Sequence, residues 1–412
     1  EARCAELERA TKRFPNISSH DALVILKNTM GSCKLLYTLR SSPCSDNPIL
    51  DKFDLLLRQA LSLITNSDLS DSAWSQASLP VANGGLGIRS VVLLAPSAFL
   101  ASAAATFIVQ QSLLGIGATK DPFIGKVFDI WSHRHPLALI PLDSGVQRSW
   151  DAASITKTFN SLLDEAGGPE HQARLRAVSS PHAGDWLNAL PITSCGLRLD
   201  DRAVSIAVGL RLGLDLCAPH VCPCGVLVDS KGTHGLSCKR SFGRSTRHNI
   251  LNDLVHRTLI RALVPSVREP AGLSRSDNKR PDGVSLTAWH RGKLLAWDVT
   301  VVDTLAQSYL PATSLCAGAA AEAAEVRKSA KYECLAQSHT FRALAFETMG
   351  PINRAGLEFF SELGAKLSAI SGDPRETAFL LQRTSIIIQR GNATAFLGSF
   401  SSCHLHPDSR DS

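Results

Sequence analysis

The chain has 412 residues and a formal net charge of +6, with 44% hydrophobic, 19% charged and 6% aromatic residues. That hydrophobic share excludes a wholly disordered chain, and 28 glycines with 20 prolines show no collagen-like excess. The length suits two or three domains, each with its own core.

Eleven cysteines, an odd number spread along the chain without a signal peptide, argue against a secreted disulfide framework. They fit a thiol-reducing compartment and one metal site. The sequence starts at Glu1 and has two methionines, so it reads as a fragment of a longer protein.

Residues 1–130 read as mainly helical. Asp21–Lys27 and Leu50–Leu61 carry apolar residues at three- and four-residue intervals. In Trp74-Ser-Gln-Ala-Ser-Leu-Pro-Val-Ala-Asn-Gly-Gly-Leu-Gly-Ile-Arg89, the Asn83-Gly84 step predicts a turn between Leu79, Val81 and Leu86, Ile88. The glycines lack the spacing of a phosphate loop. Val91–Val109 is uncharged and long enough to cross a bilayer. Alanine dominates it, Pro96, Ser97, Ser102 and Thr106 interrupt it, and no aromatic belt flanks it. A core helix with Pro96 in its first turn is expected, not a membrane span. Residues 131–215, with five scattered prolines, read as a connecting region in which His133 and His135 form a surface pair.

Chemistry concentrates from Cys217 onward. Cys222 and Cys224, followed by His234 and Cys238, place three thiols and an imidazole within seventeen residues. This pattern suits a tetrahedral structural zinc site over 216–240, with Gly225, Gly232 and Gly235 permitting the turns. Cys217 and His220 could replace one ligand or serve none. Residues 239–295 hold twelve basic side chains against four acidic ones, which points to a polyanion and most simply to nucleic acid. Arg244, Arg247, His248, Lys279 and Arg280 are the candidate contacts.

Arg247–Leu263 predicts an amphipathic helix with Ile250, Leu251, Leu254, Val255, Leu259 and Leu263 as its stripe. Arg291-Gly-Lys293 predicts a bend into a strand, Leu294-Leu-Ala-Trp-Asp-Val-Thr-Val-Val-Asp303. Strand alternation puts Asp298, Thr300 and Val302 on one face and Trp297, Val299 and Val301 on the other. An aspartate there is costly unless paired or bound to metal. The bend would set Asp282 beside it, and a divalent cation would resolve their repulsion. Lys328, Lys331 and Tyr332 share a face of a helix predicted within 317–337. A lysine near two such acids can orient and help deprotonate a water for phosphodiester hydrolysis.

The ordered run Cys222/Cys224/His234/Cys238, Arg247-His248, Arg280-Pro-Asp282, Trp297-Asp-Val-Thr-Val301 and Lys328-Ser-Ala-Lys331-Tyr332 resembles the C-terminal part of non-LTR retrotransposon polyproteins with a restriction-enzyme-like endonuclease. The resemblance covers about residues 217–350, and Trp74–Arg89 resembles the reverse transcriptase thumb of the same elements. It implies an α+β or α/β chain. A helical thumb-like region (1–130), the connecting region (131–215) and a zinc knuckle (216–240) would precede a PD-(D/E)xK nuclease core (241–400), with a central mixed sheet flanked by helices, and a tail (401–412).

It further implies that Asp282 and Asp298 bind magnesium, with Glu269 as an additional ligand. Lys328 or Lys331 would assist the water and Tyr332 would support the site. Thr300 stands where such nucleases usually carry a lysine, consistent with a lysine supplied from the following helix. The implied activity is nicking of chromosomal DNA in the nucleus, the freed 3′ hydroxyl priming reverse transcription of the element RNA bound by the full-length protein. A YxDD-type polymerase motif is absent. The alternatives are a non-catalytic nucleic-acid-binding module and a decayed remnant of an element. No HExxH, GxSxG or Walker A pattern occurs, and Cys403 and His406 sit in a polar tail expected to be inert.

Overall fold

The computed structural model describes residues 1–114, 122–165, 167–273 and 280–400. Lys279, Cys403 and His406 lie outside the described residues. The chain is α+β and divides into two compact units, Glu1–Ala166 and Gly167–Ser412.

The first unit is helical: α1 (Ala2–Thr11), α2 (Ser19–Ile25), α3 (Leu36–Ser41), α4 (Ile49–Thr65), α5 (Asp71–Ala77), α6 (Val91–Leu114), α7 (Pro122–Arg134) and α8 (Gln147–Asp164). In α4 the predicted stripe is buried through Leu50, Phe53, Leu57, Leu61 and Ile64. Asn83-Gly84 does turn the chain, but as a 3₁₀ turn with no flanking strand pair. Gly85 is obligatory there, since a Cβ would stand 2.0 Å from the Leu79 carbonyl oxygen.

Helix α6 begins five residues before Pro96, not at it. The buried Asp54 carboxylate accepts from the Val91 N–H at 2.8 Å and from Ser90 Oγ at 2.5 Å, capping the helix from a distance. Pro96 has no N–H for the Val92 carbonyl, which instead accepts from Arg134 Nη1 at 2.9 Å. This helix is long and apolar enough to cross a membrane by length and composition. Its first half is buried, whereas Ile108 (77%) and Leu113 (79%) are exposed, so it is a core helix over half its length only. His135 is buried against Ser154 Oγ at 2.9 Å, not at the surface as expected.

The stretch 131–215 is not a connector. Trp131 and Trp150 belong to a core with Phe99 and Leu100 in the first unit. Its remainder, α9 (Gly168–Val178) and α10 (Asp201–Leu212), packs within the second: Arg176 Nε donates to the Ser314 carbonyl and the Trp186 N–H to Ser385 Oγ.

The second unit continues with a two-stranded ribbon, β1 (His220–Val221) and β2 (Leu227–Val228), then α11 (Phe242–Arg261). A four-stranded sheet follows in the order β3 (Ser266–Arg268), β4 (Gly283–His290), β5 (Lys293–Val302), β6 (His339–Glu347). The first three strands are antiparallel, and β6 is parallel to β5. Helices α12 (Leu310–Thr313) and α13 (Ala319–Lys331) form the crossover, and α14 (Arg354–Ser371) and α15 (Glu376–Leu397) close the unit.

The predicted bend is a two-residue hairpin with Arg291 and Gly292 at φ 49° and 77°, the left-handed pair such a turn requires. Strand alternation then sorts the faces of β5. Leu295, Trp297 and Val299 enter the main core with Leu251, Val255 and Leu259 of α11 and Phe359 and Phe360 of α14. Ala296 and Asp298 face the α13 side, where Ala296 packs with Tyr332.

Candidate functional site

The ribbon, a 3₁₀ turn at Thr233–Leu236 and the segment leading into α11 bring four candidate ligands together. One ligand atom each from Cys222, Cys224, His234 and Cys238 lies within 4.8 Å of the other three. Cys222 Sγ and Cys238 Sγ are 3.8 Å apart, and Cys224 Sγ is 3.2 Å from His234 Nε2. A tetrahedron with zinc–sulfur bonds of about 2.3 Å has sulfur–sulfur edges of about 3.8 Å, so this group could hold a metal ion such as zinc. The Val226 N–H draws the Cys224 thiol down to about 6, toward the thiolate a metal needs, while burial pushes Cys222 up to about 11. Cys217 and His220 stand outside the group. Cys217 points to backbone carbonyls, and His220 stacks on Phe400 and bonds Ser399 Oγ at 3.0 Å.

The two aspartates meet through strand register. Gly283 pairs with Trp297, which sets Asp282 across from Asp298. The glycine of Pro-Asp-Gly is needed because a Cβ would sit 2.0 Å from the Trp297 ring. Asp282 Oδ2 accepts from the Val299 N–H at 2.7 Å and from His248 Nε2 at 3.0 Å. Among the described residues, Asp282 Oδ1 accepts no hydrogen bond. Asp298 is 3% exposed, and its Oδ2 lies 2.5 Å from Lys328 Nζ as an ion pair. Burial raises the Asp298 pKa, Asp282 raises it further, and Lys328 pulls it back. Two adjacent carboxylates are the kind of oxygen donors that a hard divalent cation takes.

Lys328 and Lys331 have different surroundings. Lys331 Nζ donates to the Tyr332 hydroxyl at 2.8 Å and lies 4.4 Å from that ring's centre. The Tyr332 hydroxyl donates to the Arg280 carbonyl at 2.7 Å, tying the end of α13 to the segment that carries Asp282. Glu269 is not brought into the acidic pair. Its carboxylate pairs with the Arg280 guanidinium, and no third carboxylate joins Asp282 and Asp298 in a metal-binding group among the described residues.

The expected nucleic-acid contacts separate by burial. Arg244 and His248 line an open cleft of about 450 Å³ with Lys239, Asn249 and Thr300. Arg247 is 1% exposed and cannot serve as a surface contact. Its Nη1 donates to Asn392 Oδ1 at 2.5 Å and its Nη2 to the Leu236 carbonyl at 3.3 Å, joining α11, α15 and the cysteine cluster. Burial lowers its pKa to about 10. Truncation would leave those acceptors without a donor, so Arg247→Ala is expected to destabilise the second unit by roughly 3–5 kcal/mol in a denaturant titration.

The sequence marks His248 for nucleic acid through its basic segment and gives no sign of its bond to Asp282. Nor does it mark Asn252, whose Oδ1 accepts from Trp297 Nε1 at 2.9 Å and whose Nδ2 reaches the Asp282 carbonyl at 3.5 Å. The signal available was the i,i+4 spacing of these two polar residues along α11. Compared with protein-family models and with curated protein sequences, the chain gives no match.

Proposed function

We propose that the second unit is a magnesium-dependent DNA endonuclease of the restriction-enzyme-like type, from the C-terminal region of a non-LTR retrotransposon polyprotein. The observation that carries this reading is the juxtaposition of Asp282, Asp298 and Lys328, with Lys328 Nζ 2.5 Å from a buried carboxylate on an inner strand of the sheet. Asp282 and Asp298 would hold the cation. When bound, magnesium supplies Lewis-acid polarisation of the phosphate and of the attacking water. Lys328 orients the water and stabilises the charge that develops as its proton leaves. His248, donating through Nε2 to Asp282 Oδ2, holds that carboxylate in one rotamer. Tyr332 keeps the Arg280–Asp282 segment against α13.

The cysteine and histidine cluster, with zinc as its metal, would support the cleft through which the phosphate backbone enters. Arg244 and Lys239 line that cleft and supply positive charge. In the full-length protein the nick would occur in the nucleus and prime reverse transcription of the element RNA, with residues 1–130 as a thumb-like region.

The test is nicking of supercoiled plasmid by the purified chain with magnesium and with EDTA. Magnesium-dependent conversion to the open circle is expected; binding with no breakage in either condition would instead favour a non-catalytic nucleic-acid module. Arg244→Ala should weaken DNA binding and reduce the salt slope by about one counterion while leaving the melting temperature unchanged. A filter-binding series in salt reads both quantities.

A further inference from the structure

We infer that Glu347 is a positioning residue that sets Lys328 against Asp298 by pinning the first turn of α13 to the end of the sheet. Its catalytic consequence rests on the nuclease reading above. Glu347 is the last residue of β6 and is fully buried. Its Oε1 accepts from the N–H groups of Ala320 and Ala321 at 3.0 and 3.1 Å, and its Oε2 accepts from Thr304 Oγ1 at 2.9 Å.

Tyr332 holds the C-terminal end of α13, and the N-terminal end needs such an anchor. Its N-cap is Gly318, which has no side chain to satisfy the free N–H groups of the first turn. Its inner face meets the sheet through Ala321 and Ala324 against Ala345, with Val302 beside them. Alanines make shallow ridges, so this contact does little to stop the helix sliding along its axis. A carboxylate at the positive end of the helix is favoured by the backbone dipole and fixes the axial position at one point.

The lengths agree along the two paths. Asp298 pairs with Ala343 and Val302 with Glu347, so the acid and the anchor are four residues apart along the sheet, about 13 Å. Ala320 and Lys328 are eight residues apart in the helix, about 12 Å. A helix pinned at Ala320 therefore delivers its lysine at the level of Asp298. Beyond Glu347, Thr304 and Thr348 continue the network to Asp303, and the Thr348 carbonyl accepts from Asn392, the partner of Arg247. The anchor is thus part of a continuous buried polar framework.

The test is competitive amine labelling of the purified full chain without metal or DNA, read at Lys328 by peptide mass spectrometry, with the exposed Lys52 as internal standard. Glu347→Ala should speed Lys328 labelling roughly tenfold by releasing the first turn, with Lys52 unchanged. Glu347→Gln keeps an acceptor for both N–H groups and should label as the parent does. Glu347→Asp, shorter by one methylene, serves if the alanine variant does not fold, and should speed labelling by a smaller factor. A folded Glu347→Ala or Glu347→Asp protein in which Lys328 labels at the parental rate overturns the inference.

In the plasmid assay Glu347→Ala should lower kcat about tenfold with KM unchanged, with Glu347→Gln restoring it. A parent chain that never nicks DNA overturns the nuclease reading alone, and the labelling result still decides the role of Glu347.

Discussion

Asp298→Asn is expected to reduce magnesium-dependent nicking by on the order of a thousandfold, about 4 kcal/mol of transition-state stabilisation. The substitution preserves size and removes the charge that would hold the cation and face Lys328. It should do so without loss of stability. Asp298 is buried beside Asp282, and both burial and that neighbour disfavour its charged form. The neutral amide relieves that repulsion, and Lys328, still partly exposed, keeps access to water. Asp282→Asn should lose activity to a similar degree, and its amide would also disturb the bond from the Val299 N–H. Nicking rates together with thermal melts check this. Parental nicking by a folded Asp298→Asn protein would remove the acidic pair from the mechanism.

The second large effect concerns the cysteine cluster. One zinc ion per chain is expected by elemental analysis, and Cys238→Ser should abolish stoichiometric retention. Zinc binding to small Cys/His sites is worth on the order of 10 kcal/mol near neutral pH, so the segment around the cluster should lose its fold without metal. The sheet and its helices have a separate core of Trp297, Phe346, Phe359 and Phe360 and should persist. Limited proteolysis after strong chelation should therefore cleave between residues 217 and 240 before it reaches the sheet. Because Arg247 bonds the Leu236 carbonyl, the loss should extend into the first turns of α11. Unchanged proteolysis after chelation, or a purified chain without zinc, would refute a structural metal site.

The elements that carry this site were largely legible in the residue pattern. The stripe Leu251, Val255, Leu259 places α11 on the core, and β-branched and aromatic residues around Trp297 mark β5. The Arg291-Gly292 bend and the alternation that separates Asp298 from Trp297 follow from local sterics. The Cys222, Cys224, His234, Cys238 cluster was legible because its ligands lie within one short segment. Local order also suggested an incorrect surface role for Arg247, since charge in a basic segment says nothing about which way a helix faces.

The interactions missed at the sequence level all join distant segments. His248 meets Asp282 across 34 residues, and Asp54 caps α6 across 37. Arg134 completes the backbone around Pro96 across 42, and Glu347 reaches back 27 to the start of α13. Residue order determined the helices, the hairpin and the candidate metal-ligand set, because backbone periodicity and turn chemistry act over a few residues. Only the tertiary structure decided that Lys328 rather than Lys331 faces Asp298, that Glu269 turns to Arg280, and that Arg247 is buried. Those outcomes depend on strand register and helix position, which arise from packing between segments far apart in the chain.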